Sequence, residues 1–192
     1  MTTTSVARPV WQAALLIAGF ALAVSARVAV GGVAVARSAG AGWLFAGCLV
    51  ALSVAVGAWR SAGLSRAWVG LPGALVLCVP LLANRVAGDL AHRPGGAFLP
   101  WAVTVTAVAA AEEMFLRGAL YDACARARGE TTAIIVGAVL FALLHVPLYG
   151  WHVLPLDLAV GGWLGGLRRI SGGWAAPGVA HVAADLAAWW LK

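Results

Sequence analysis

Charged side chains are scarce in this chain of 192 residues. They make up 10% of it, whereas soluble domains carry about 25%. Hydrophobic residues account for 62%, and the mean hydropathy is +0.92. A soluble domain is therefore excluded. The composition predicts an integral membrane protein whose length allows one domain.

Acidic residues are scarcer than basic ones. The chain has 7 Asp and Glu against 13 Lys and Arg, which gives a net charge of +6. The basic residues are scattered, with no basic stripe, and this excludes a nucleic-acid-binding protein. They are more frequent in the loops on the side of the N-terminus. This bias predicts a multi-pass protein of the inner (cytoplasmic) membrane with a cytoplasmic N-terminus.

Cysteines are few, and none is paired in sequence. Cys48, Cys78 and Cys124 are isolated, and no CxxC spacing occurs. A disulfide framework and a cysteine zinc site are therefore excluded.

Long apolar runs are abundant, and a membrane span needs about 20 such residues. They predict an all-α fold, a polytopic transmembrane helix bundle of about seven to eight helices. The predicted helices are 10–27, 41–59, 67–84, 98–120, 131–148, 153–167 and 174–191. The apolar region 28–40 either lengthens the first helix or forms a re-entrant piece. The sixth helix is Gly-rich, which favours close helix packing through small residues.

Two adjacent glutamates, Glu112 and Glu113, interrupt the fourth apolar run. A charge at bilayer depth costs at least a few kcal/mol and marks a functional site by default. Glu113 and Arg117, four residues apart, share a helix face and can neutralise each other. Glu112 points about 100° away and lacks that partner, which leaves it available as a general acid or base. The alternative is a buried ion-pair network of all three residues.

Two histidine motifs follow on later apolar segments. Phe141 precedes His145 by one turn and can pack against the imidazole, while His181 and Asp185 share one helix face. Each motif alone is also explained by a helix-end histidine or a local polar pair. Helices in lipid bury such groups by pointing them at one another. The motifs together therefore predict one intramembrane polar cavity.

The predicted cavity suits the activation of water. A carboxylate takes the proton from water, a histidine aligns that water, and a second pair stabilises an oxyanion. The same side chains, Glu112, His145, His181 and Asp185, offer ligands that zinc accepts. No HExxH spacing is present, so the choice between a divalent metal and no cofactor stays open.

The three motifs, in this order, resemble the CAAX protease and bacteriocin-processing (CPBP, or Abi) family of intramembrane proteases. They read EExxxR at 112–117, FxxxH at 141–145 and HxxxD at 181–185. The resemblance implies an all-α membrane fold with a cavity open to one membrane face. It implies a catalytic core at 98–192, preceded by N-terminal transmembrane helices at 1–97, in one integral membrane domain.

The resemblance also implies roles for the motif residues. Glu112 and His145 would activate the water that attacks a peptide bond, and His181 with Asp185 would form the oxyanion site. The supporting residues would be Glu113, Arg117 and Phe141. Members of this family that process prenylated proteins have Asn where this chain has Asp185, and an ionised Asp cannot donate a hydrogen bond. Asp185 is therefore protonated, orients His181, or serves as a metal ligand.

The expected partners are the lipid bilayer and a membrane-anchored peptide or protein substrate. Candidate reactions are the processing of secreted peptides and the removal of C-terminal membrane sorting segments, as in myxosortase-like members of the family. Two alternatives remain open. The first is a non-catalytic membrane immunity or scaffold protein. The second is a proton-coupled carrier, which is expected to show inverted repeats that this sequence lacks.

Overall fold

Helices dominate the computed structural model, which describes residues 4–86 and 97–191, and no strand occurs in these ranges. The α-helices are α1 (Thr4–Gly31), α2 (Ala39–Ala55), α3 (Gly70–Val86), α4 (Phe98–Glu113), α5 (Tyr121–Arg128), α6 (Glu130–Tyr149), α7 (Leu154–Ser171) and α8 (Ala175–Leu191). Between α4 and α5 the chain continues without a break as a π-helical segment, Met114–Leu120.

Each helix predicted from the apolar runs coincides with a helix of the structure. Four stretches are long and apolar enough to cross a membrane, Pro9–Ala34, Leu64–Leu82, Phe98–Arg128 and Glu130–Tyr149. The predicted all-α polytopic bundle is confirmed, and the chain is a membrane protein. The first helix is longer than 10–27, because α1 continues to Gly31 and a 3-10 turn follows it, so the start of the region 28–40 lengthens this helix, one of the two predicted alternatives.

The helix α4 and its π-helical continuation occupy the middle of the bundle. Together they contact α1, α2, α6, α7 and α8. Phe115 is fully buried, and its ring stacks on that of Phe20 from α1 with centroids 5.4 Å apart. Phe20 in turn meets Phe45 of α2 edge to face. This apolar packing places the adjacent glutamates at the end of α4, inside the protein.

Glycines bring α7 into close contact with α6. A Cβ atom on Gly161 would lie 2.7 Å from Cα of Ala138, and one on Gly165 would lie 2.9 Å from Cγ2 of Ile134. Real Cβ atoms do not approach a backbone atom this closely, so Gly161 requires glycine, whereas at Gly165 the side chain of Ile134 would have to shift. The predicted close packing through small residues in this helix is confirmed.

We expect Gly161→Ala to lower the free energy of unfolding by about 1–3 kcal/mol, since the added methyl overpacks the contact with Ala138. Gly162 is the matched control, because a Cβ there meets no atom within 4 Å. Gly162→Ala should raise stability by about 0.5–1 kcal/mol through the helix propensity of alanine. Thermal unfolding of both variants in detergent measures the difference, and equal shifts would contradict the packing described.

Candidate active site

The side chain of Glu113 links two of the three motifs. Its Oε1 atom accepts a hydrogen bond from Nη1 of Arg117 at 2.8 Å and lies 3.0 Å from Nδ1 of His181. All three side chains are buried. The predicted contact with Arg117 is confirmed, whereas the contact with His181 was not anticipated. Because an ionised carboxylate can only accept, Nδ1 of His181 carries the hydrogen.

The guanidinium of Arg117 extends this link to two further helices. Its Nη2 atom donates to the backbone carbonyl of Gly161 in α7 at 3.0 Å. Its central carbon lies 5.0 Å from the ring centroid of Phe141 in α6. The close approach of α7 at Gly161 is what brings that carbonyl within reach. Arg117 therefore satisfies its charge on Glu113 while holding α6 and α7 in place.

The ring of Phe141 lies between the two histidines. Its centroid is 4.6 Å from that of His145 and 5.4 Å from that of His181. The predicted packing of Phe141 against the imidazole of His145 is confirmed.

The orientation of His145 follows from its backbone contact. Its Nδ1 lies 2.8 Å from the carbonyl oxygen of Phe141. A carbonyl can only accept, so Nδ1 is the donor and Nε2 of the neutral ring keeps a lone pair. Asp157 of α7 comes within 3.8 Å of the same Nδ1 atom, which is too long for a hydrogen bond. His145 is thus held in the tautomer that can accept a proton or bind water through Nε2.

Glu112 is also buried, but it faces a different partner. Its Oε1 atom lies 3.7 Å from Nη1 of Arg27 in α1. Glu112 thus makes no ion pair with Arg117 in the described residues, as predicted, but its pair with Arg27 was not anticipated. Arg27 was expected at the end of the first helix, and the continuation of α1 places it inside the helix instead. Glu112 also interacts electrostatically with His181, Asp185 and Glu113.

His181 and Asp185 share one face of α8, as their spacing predicts. Nε2 of His181 lies 3.6 Å from Oδ2 of Asp185, longer than a hydrogen bond, and the Asp185 side chain is partly exposed. The polar residues predicted from the three motifs thus form one cluster inside the bundle. No hydrogen bond or ion pair joins Glu112 to His145 among the residues described.

The geometry does not fit a metal site. Over residues 4–86 and 97–191, no group of three or more His, Cys, Asp or Glu side chains is arranged to hold a metal ion. His145 and His181 engage Phe141 and Glu113 through Nδ1, which leaves their Nε2 atoms, but they form no group of three ligands with a further side chain in these ranges. We therefore derive no chemical step through zinc.

A cavity of about 530 Å³ lies away from the polar cluster, between α1 and α2. Its lining is largely apolar and includes Trp11, Leu15 and Leu52. Trp11 and Arg27 are about 24 Å apart along α1 at 1.5 Å per residue. This cavity is therefore not the predicted polar one.

The π-helical segment is held by Arg168, which the sequence analysis did not single out. Its Nε donates to the carbonyl oxygen of Arg117 at 2.7 Å, and its Nη2 donates to Oδ1 of Asp122 at 2.8 Å. The N–H of Tyr121 donates to the carbonyl oxygens of Leu116 and Gly118 and not to that of Arg117. Arg168 thus ties α7 to a main-chain carbonyl of the π-helical segment and to the first turn of α5. Such segments occur frequently at functional sites.

Comparison with known proteins identifies one family. The family model described as Type II CAAX prenyl endopeptidase Rce1-like matches residues 94–187. Neither a curated protein nor a solved structure matches the chain. The matched segment includes all three motifs and leaves Arg27 outside.

Arg168→Met should destabilise the protein by about 2–3 kcal/mol, since it removes hydrogen bonds from a charged group to Asp122 and to a buried carbonyl. Arg169 offers a matched control, because its pair with Glu130 at 3.2 Å is exposed. Arg169→Met should cost about 0–1 kcal/mol. Thermal unfolding in detergent measures both, and a similar loss for the two variants would contradict a role for Arg168 in holding the π-helical segment.

Proposed function

Because the chain belongs to the CAAX protease and bacteriocin-processing family, we propose that it is an intramembrane endopeptidase in which Glu112 and His145 activate water. The family membership supports proteolysis, and the buried polar cluster supports the assignment of residues. The observation that carries the proposal is the meeting of the EExxxR, FxxxH and HxxxD motifs around Phe141. Three separate helices contribute to it inside an apolar bundle.

In the proposed reaction Glu112 is the general base. It takes a proton from water while the Nε2 lone pair of His145 aligns that water for attack on the scissile carbonyl. His181 in its imidazolium form has two donors, one directed to Glu113 and the other available to the oxyanion. Asp185 lies beside Nε2 of His181, and we assign it the positioning of that ring. Collapse of the tetrahedral intermediate breaks the C–N bond, and the leaving amine takes the proton from Glu112.

The proposed substrate is a membrane-anchored peptide or protein, such as a secreted peptide precursor or a C-terminal sorting segment. We place the enzyme in the cytoplasmic membrane with a cytoplasmic N-terminus, following the bias of basic loops. We further propose that residues 98–192 form the catalytic core and that 1–97 complete one domain with it. The reach of Arg27 from α1 to Glu112 supports that joint domain.

The proposal is tested by mapping protein termini in membranes of the native host, comparing wild type with Glu112→Gln at matched expression. We expect proteins that keep an N-terminal or C-terminal membrane segment only in the variant. Those proteins would be the substrates. Identical termini in both strains, under conditions that express membrane-anchored precursors, would instead favour a non-catalytic immunity or scaffold protein.

Substitutions of the two adjacent glutamates should have different effects. Glu112→Gln should reduce cleavage by about 10²–10⁴-fold, the usual contribution of a general base, with a smaller loss of stability than at Glu113, because Glu112 approaches Arg27 only to 3.7 Å. Glu113→Gln removes the negative charge that pairs with Arg117 and His181 and should cost about 3–5 kcal/mol, as for other broken buried ion pairs. Cleavage assays and thermal unfolding on the same preparations measure the two effects. Equal losses of activity in two stably folded variants would refute this division of roles.

A further inference from the structure

Arg27 is a buried arginine at the polar cluster that the matched family segment does not contain. Its side chain is 8% exposed, and it belongs to the apolar stretch Pro9–Ala34 of α1. The guanidinium lies 4.9 Å from the ring centroid of Phe45 in α2. A charged side chain at this depth is costly and is a functional-site candidate by default.

Part of the hydrogen-bonding capacity of Arg27 is unused within the described part of the chain. Its Nε atom is buried and has no hydrogen-bond partner within the described ranges. Its Nη1 atom approaches Oε1 of Glu112 only to 3.7 Å, outside hydrogen-bond range. Buried polar groups in native proteins are nearly always paired. A guanidinium with donors left over, directly beside Glu112, is therefore suited to an additional acceptor.

Both acceptors and donors lie near Glu112. Glu113 and Asp185, whose charges act on it, are carboxylates, and ionised carboxylates only accept hydrogen bonds. The donor-bearing side chains near Glu112 include His181, Tyr149 and Arg27, and of these three only Arg27 has a buried nitrogen without a hydrogen-bond partner in the described residues. Arginine presents its N–H groups in a fixed planar fork that matches oxyanions, and lysine does not.

We propose that Arg27 is an anion-binding residue of the site, whose Nε–H donates to a negatively charged oxygen of the substrate. The identity of that oxygen rests on the proposed peptidase function. It is either the oxyanion of the tetrahedral intermediate or a carboxylate of the substrate. In the first case the carbonyl π electron pair moves to oxygen as water attacks and Glu112 takes the proton. Arg27 holds that charge until the C–N bond breaks.

The decisive variant is Arg27→Lys, because lysine keeps a positive charge near Glu112 but has no donor at the Nε position. The control is Arg66→Lys, since Arg66 is exposed. Arg27→Gln, which also removes the charge, serves as a second variant. All proteins are first compared by thermal unfolding in detergent, so that a folding defect is separated from a loss of binding.

The first readout needs no turnover. Decylphosphonate carries a tetrahedral oxyanion on an apolar chain, and decanol is its neutral counterpart. We expect decylphosphonate to raise the unfolding temperature of wild type and Arg66→Lys more than decanol does, and Arg27→Lys to lose that excess. The proposal would be overturned if decylphosphonate raised the unfolding temperature above that with decanol equally in wild type and Arg27→Lys. It would also be overturned if wild type showed no such difference between the two compounds.

The second readout uses a peptide identified by terminal mapping. A fall in kcat of at least 10-fold at unchanged KM for Arg27→Lys assigns the oxyanion, since loss of one oxyanion donor costs about 10²–10³ in kcat. Alternatively, Arg27→Lys raises KM, and amidation of the substrate carboxylate raises the KM of wild type in the same way. This result would assign the carboxylate as the group that Arg27 binds. Unchanged kcat and KM would overturn the proposal. If wild type cleaves no peptide while its phosphonate binding still depends on Arg27, the proposed peptidase function is contradicted and anion binding by Arg27 is not.

Discussion

The carboxylate of Glu113 is buried among apolar helices, where an unpaired charge would cost several kcal/mol. The structure meets that cost with two partners, Arg117 from the same helix and His181 from α8. Arg117 then needs further acceptors for its own donors, and the carbonyl of Gly161 supplies one. The ion pair is thereby linked to α7 at Gly161, the residue whose missing side chain lets α7 approach Ala138 of α6.

The same constraint organises the apolar side chains at the site. Phe141 is covered on one side by the guanidinium of Arg117 and flanked by the rings of His145 and His181. A cation over an aromatic face is stabilising, more so when water is excluded. The phenyl ring thus separates the charged pair from His145, which is free to present its Nε2 atom. The same few contacts around Phe141 therefore determine how these side chains pack and which ring nitrogen of His145 carries the hydrogen.

Local features of the sequence were enough to predict the helices and part of the site. Apolar runs located the helices, and the four-residue spacing located the Glu113–Arg117 and Phe141–His145 contacts. The convergence of the distant motifs was predicted, but not which of their side chains contact one another. His181 is 68 residues from Glu113, and no spacing rule pairs them. Arg27 was assigned to a helix end because the apolar run was cut at that charge, although the helix continues through it.

The π-helical segment left no trace in the sequence analysis, because residues 114–120 continue the predicted helix 98–120 without a turn or proline signal. Its wider turn amounts to one surplus residue in an otherwise continuous helix, and each residue of an α-helix adds about 100° of rotation. The residues after the π-helical segment are therefore rotated about the helix axis relative to α4. Asp122, in the first turn of α5, meets Arg168 of α7 in this orientation. The rotational position of α5 and that of the glutamates are consequently coupled. A single-residue deletion within Met114–Leu120 would rotate either α5 or the glutamates away from their partners.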